Sequence, residues 1–89
     1  MQRITLDGRA MDSRDALHRH LREAFGFRQD YGRNLDALHD LLGELRGVHV
    51  VLSHRQAMLN SLGAYGLQLL AVLKDTAETR DDFHFTALD

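Results

Sequence analysis

Three strand-like runs, separated by two long stretches of helical leucine spacing, constrain this chain more than any other feature. "QRITLDG" alternates, with Ile4 and Leu6 on one face and Arg3 and Thr5 on the other, and it ends at the turn pair Asp7-Gly8. "VHVVLS" is a continuous apolar run of strand length, as expected for a strand covered on both faces. "DFHFTAL" closes the chain with Phe83, Phe85 and Ala87 on one side. Between the first two runs, Leu17, Leu21, Ala24 and Phe25 recur at helical spacing. Asp12-Ser13 supplies N-cap chemistry before them and Gly26 a stop after them. Asn34 can cap a second helix, with Leu35, Leu38, Leu42 and Leu45 as its buried stripe and Gly47 as its end. Between the second and third runs, "HRQAMLNSL" reads as a short helix broken near Gly63. "YGLQLLAVLKDTAET" reads as a longer one with Leu69, Leu70, Leu73 and Ala77 on its main face.

The order is β-α-α-β-α-α-β. Strands joined by helical crossovers pair in parallel with right-handed connections. The expected fold is therefore α/β, a small three-stranded parallel sheet covered by helices, with residues 1–89 as one domain. Proline is absent, so every boundary rests on Gly, Asn, Ser or Asp. A chain of this length buries only roughly 60–65% of its unfolded surface. That leaves no room for a deep cleft between lobes, and function belongs on a surface or in a shallow groove. Met11 and Met58 are core by default.

Composition narrows the function classes. The net charge of −2 argues against a nucleic-acid binder, which carries a basic excess. The absence of cysteine excludes disulfides, thiolate chemistry and Cys-based zinc sites. No signal-peptide core or membrane-length apolar run is present, so a cytoplasmic protein with no membrane association is expected. Of the six histidines, His18 and His20 point to opposite sides of a helix, and His49 and His54 flank a strand end. None has i, i+4 ligand spacing; surface or partly buried imidazoles are expected, with no metal and no cofactor. No nucleophile elbow or phosphate loop is present, so no enzyme is expected.

The informative stretch is "DYGRNLDALHDLL", residues 30–42. At about 100° per residue, Leu35, Leu38, Leu42 and Leu45 fall within an arc of about 80°. Asp36, Asp40, Gly43 and Glu44 fall roughly opposite them. If the leucines face the sheet, both aspartates face outward. Like charges at i, i+4 repel by a few tenths of a kcal/mol. A glycine at position 43 would cost up to about 1 kcal/mol in a helix interior and would let another backbone approach. Such a face is either a solvated surface or a docking surface for a cationic partner.

"YGRNLDALHDLL" resembles the signature of the barstar family, intracellular inhibitors of a secreted bacterial ribonuclease. The residues that carry the resemblance are Tyr31, Gly32, Asn34, Leu35, Asp36, Ala37, Leu38 and Asp40. It extends to the chain length, the element order, the Asp7-Gly8 turn and "LQLLAVLKDTAE". The resemblance implies a non-enzymatic inhibitor, a monomer until it meets its partner. Its second helix and preceding loop would enter a ribonuclease active site, where carboxylates occupy phosphate positions. It implies Asp40 as the central phosphate mimic and Asp36 as a second carboxylate facing an arginine or backbone amide. Tyr31, Gly32 and Asn34 would form the loop beside the helix. His39 stands where the family has tryptophan, Gly43 where it has threonine, and Asp75 where it has a glutamate that reaches the partner. Asp30 replaces a second tyrosine. Arg33 and Arg46 dilute the negative field, and the chain has no tryptophan, the residue type that commonly anchors interfaces. The partner implied is thus a ribonuclease or related nuclease toxin with a basic active site; the alternative is an interaction or toxin-immunity module with a different partner.

Overall fold

The structure is a computed structural model that describes residues 1–89. Strand β1 (Gln2–Asp7) leads through a single 3-10 turn (Gly8–Ala10) into α1 (Arg14–Phe25) and α2 (Leu35–Leu42). Strand β2 (Val48–Ser53) follows, then α3 (Arg55–Leu62), α4 (Ala64–Glu78) and β3 (Phe83–Ala87). The sheet order is β1-β2-β3, with both pairs parallel, so the β-α-α-β-α-α-β α/β architecture expected from the sequence is the one observed. No helix is long and apolar enough to cross a membrane.

Local chemistry explains the helix starts. Ser13 Oγ accepts from the Ala16 N–H at 3.1 Å at the head of α1, and Gly26 closes that helix in the left-handed region. Asn34 Oδ1 accepts from the Ala37 N–H at 2.7 Å at the head of α2. The leucines of α1, α2 and α4 meet the inward residues of the sheet in one core, centred on Leu6, Val50, Leu52 and Phe83.

Two expectations are corrected. Strand β2 is not covered on both faces. With sheet order β1-β2-β3, right-handed crossovers place all four helices on the same side. The other side carries the rows Arg3–His49–His84 and Thr5–Val51–Thr86. Val51 is buried there by its threonine neighbours, outside the main core cluster, which is why the run reads as continuously apolar. Helix α2 is also shorter than its leucine stripe. It ends at Leu42, and Gly43 is its C-cap rather than an interior residue. Its end is held by a contact from elsewhere in the chain. The Arg80 guanidinium donates to the Leu42 carbonyl at 2.7 Å and to the Leu45 carbonyl, and it is fixed by Asp82 at 3.0 Å. A cation on the last carbonyls of a helix is favourable, and beyond Gly43 the backbone tightens into i→i+3 bonds, Glu44 N–H to the Leu41 carbonyl and Leu45 N–H to the Leu42 carbonyl. Leu45 then packs half-buried from a turn.

One glycine is required by close approach. A Cβ at Gly8 would lie 2.1 Å from the His54 carbonyl oxygen, where the chain leaves β2 for α3. Gly8→Ala should cost about 2 kcal/mol of overpacking, a fall of about 8–16 °C in melting temperature for a domain of this size. An unchanged melting curve would contradict the packing of the 3-10 turn on His54.

Candidate functional site

Burial of Leu38 and Leu42 sets the rotation of α2, and Asp36, His39 and Asp40 come out exposed on its outer side. Neither carboxylate makes a hydrogen bond or ion pair within the chain; the four ion pairs all involve other residues. The N-cap and αL entry orient the loop before them. Asn34 is exposed, and its Nδ2 donates to the Gly32 carbonyl at 3.2 Å. Arg33 sits between them at φ +52, a left-handed conformation uncommon for a side chain of this kind.

The structure divides the sequence-predicted residues into groups. Tyr31, Gly32 and Asp40 line one concavity of about 410 Å³, with Ala37 and Leu41 as its apolar floor. Asn34 and Asp36 line a neighbouring one of about 350 Å³, with Arg33 and Tyr65. His39 and Gly43 are exposed on α2 and its cap, and Asp75 is exposed on α4, which packs on α2. These three line neither concavity.

Tyr31 differs from the rest of its loop because it is only 5% exposed. Its hydroxyl lies 2.7 Å from Nδ1 of His18, and the other ring nitrogen, Nε2, lies 2.6 Å from the Tyr65 hydroxyl. The expectation of a surface or partly buried His18 is therefore corrected: its side chain is 2% exposed. A neutral imidazole has one donor and one acceptor nitrogen, so one tyrosine accepts from it and the other donates to it. This bridge ties α1, the loop before α2 and α4 together. Burial pushes the His18 pKa below its ordinary value; Asp15 opposes that shift and Arg33 adds to it. Burial and the nearby Tyr65 push the Tyr31 phenol well above the usual tyrosine range. Hydroxyl donors thus stay protonated in the bridge. The other imidazoles are also structural where they are bonded: His20 Nε2 accepts from the Asp7 N–H at 2.9 Å, and His49 Nε2 lies 2.9 Å from Thr86 Oγ1.

The residues present an exposed, unpaired anionic face beside shallow, partly apolar hollows. Two exposed carboxylates with no partner in the chain can accept cationic groups from outside it. A family model described as "Barstar (barnase inhibitor)" matches residues 1–88. The chain belongs to the barstar family. The protein named "Putative ribonuclease inhibitor YrdF" from Bacillus subtilis (strain 168) is 34% identical over 86 residues, covering 93% of this chain and 94% of that protein. Membership in the barstar family accounts for the resemblance of residues 31–42.

Sequence reasoning missed Leu41, Arg80 and the His18 bridge. Leu41 lies off the main leucine stripe. Arg80 and Tyr65 act across the chain, and sequence spacing carries no signal for such contacts.

The buried imidazole gives a pH dependence with a definite sign. Between its depressed folded value and the ordinary value of about 6.5, only the unfolded chain binds the proton. The His18 contribution is therefore fully present above about pH 6.5 and is lost as pH falls below it. The melting temperature should fall on acidification through this range, and the His18 ring should titrate by NMR below about 6.5. Titration at or above that value would contradict a neutral bridge.

Proposed function

We propose that this chain inhibits a ribonuclease of the barnase type, or a related nuclease toxin, by laying α2 and the loop 31–34 over its basic active site. The observation that carries this reading is the unpaired state of Asp36 and Asp40. Two carboxylates on one rigid helix turn, without an internal cation, are available to cations supplied by a partner. A site built to hold RNA phosphates concentrates Lys, Arg and His, and an anion seated there relieves their mutual repulsion.

In this reading Asp40 enters the site as the main phosphate mimic, and Asp36 faces an arginine or backbone amide. Gly32 and Asn34 let the loop lie close against the partner, while Tyr31, only 5% exposed and bonded to His18, acts from beneath as the loop's anchor. Gly43 leaves the far end of α2 free of side-chain bulk. Asp75 extends the acidic surface onto α4. His39, in the place of the family's tryptophan, offers a smaller contact, and Leu41 with Ala37 supplies apolar area beside Asp40. The smaller anchor favours a partner whose contact surface differs from that of the nuclease the family is named for. The same bound state accounts for a non-catalytic role and for a monomer that meets its partner as a second chain.

The test is inhibition of a purified barnase-type ribonuclease across a salt titration. Inhibition should weaken steeply with salt. Asp40→Ala should reduce affinity by about 3 kcal/mol, roughly 100-fold, because it strands a desolvated cation on the partner. The same substitution should change folding stability by no more than about 0.5 kcal/mol, since the side chain is exposed and unpaired. Full-strength inhibition by Asp40→Ala would remove α2 from the interface.

A further inference from the structure

Beside the acidic helix lies a hollow of the opposite sign. Asp15, Arg19 and Arg22 from α1 line a concavity of about 420 Å³ with Gln29, Tyr31 and Arg33 from the loop. None of the three arginines forms an ion pair or a side-chain hydrogen bond within the chain; every guanidinium that does so belongs to Arg9, Arg28, Arg46, Arg55 or Arg80. Asp15 approaches none of them within ion-pair distance, so the lining carries three positive charges against one negative. The hollow is continuous with the acidic face. Tyr31 is shared with the concavity that holds Asp40, and Asp15 and Arg33 are shared with the one that holds Asp36.

A specific interface covers about 800 Å² per partner, a patch roughly 30 Å across. Through the shared Tyr31, Asp15 and Arg33 the hollow adjoins α2, so an interface centred on α2 reaches its edge. Three guanidiniums under a uniformly cationic partner would be repelled, and like-charge contact across an interface is strongly unfavourable. Guanidinium forks match carboxylates bidentately. We propose that the Arg19–Arg22–Arg33 hollow receives carboxylate side chains of the docked protein. The chain then recognises a nuclease whose basic active site is bordered by an acidic rim. This inference rests on the docking of α2 proposed above. The hollow fixes the orientation of docking by a second contact of opposite sign and disfavours nucleases that lack the rim.

The experiment is a titration of the full chain, labelled with ¹⁵N, by an octaglutamate peptide, read at the arginine side-chain Nε–H signals. Shifts confined to Arg19, Arg22 and Arg33 are expected. The variant carrying Arg19→Gln, Arg22→Gln and Arg33→Gln should bind the peptide about tenfold more weakly or less, at unchanged circular dichroism. No shifts, or equal shifts at Arg3, Arg9 and Arg55, would overturn the proposal. So would tighter binding of inorganic phosphate than of the peptide, which would assign the hollow to a phosphate ligand. With a nuclease that the parent chain inhibits, the triple variant should also lose about tenfold in affinity. Equal or tighter inhibition would overturn the acidic rim. The peptide arm contains no nuclease, so it decides this inference even if the assignment of Asp40 fails.

Discussion

The seating of the α2 leucines in the core decides where every charge on the outer surface goes. Leu38 and Leu42 are fully buried, and each side chain taken out of water contributes roughly 1.5–3 kcal/mol. The repulsion between Asp36 and Asp40 on the same helix is a few tenths of a kcal/mol. Burial is the larger effect by several-fold, so the core holds two like charges together on the outside. A helix free to rotate would relax that repulsion. This one cannot, because turning it would expose the leucines. The proposed docking surface is thus a consequence of packing, and a face preorganised in this way would cost little to order on binding.

The loop and both ends of α2 are held by contacts beneath or beyond the acidic face. Asn34 fixes the start of the helix through the Ala37 N–H. Arg80 fixes its end by taking the Leu42 carbonyl, and Asp82 orients Arg80. His18 holds the loop through Tyr31 and joins it to α4 through Tyr65. None of these partners competes for the carboxylates. Asn34, Arg80 and His18 are engaged with the backbone and the loop, and Asp36 and Asp40 remain unpaired. The unpaired Arg19, Arg22 and Arg33 line an adjoining hollow, and Arg33 also lines the one that holds Asp36. The surface therefore carries both signs in adjacent patches, a pattern that fixes the orientation of a partner better than net charge does.

The element order, the parallel sheet and the outward aspartates were legible because each follows from periodicity within one segment. Leu17 and Leu21, Leu38 and Leu42, and Leu69, Leu70 and Leu73 are all buried where their spacing puts them. What was not legible depends on contacts distant in sequence. Helix α2 stops at Leu42, and its last carbonyl meets Arg80, thirty-eight positions beyond. Val51 in "VHVVLS" is apolar although its face of the sheet has no helix on it, because Thr5 and Thr86 shelter it from either side. Tyr31 carries a family signature, yet its burial and its bond to His18 emerge only when α1 packs against the loop.

The central claim is that the acidic helix occupies the phosphate-binding site of a nuclease. Competition tests it most directly: a barnase-type ribonuclease, this chain and a mononucleotide bound in the nuclease active site are brought together, and the affinity of the chain is measured as the nucleotide is raised. Mutual exclusion is expected, with apparent affinity falling in proportion to nucleotide occupancy. A stable ternary complex, with the nucleotide in place and the chain bound at full strength, would contradict it.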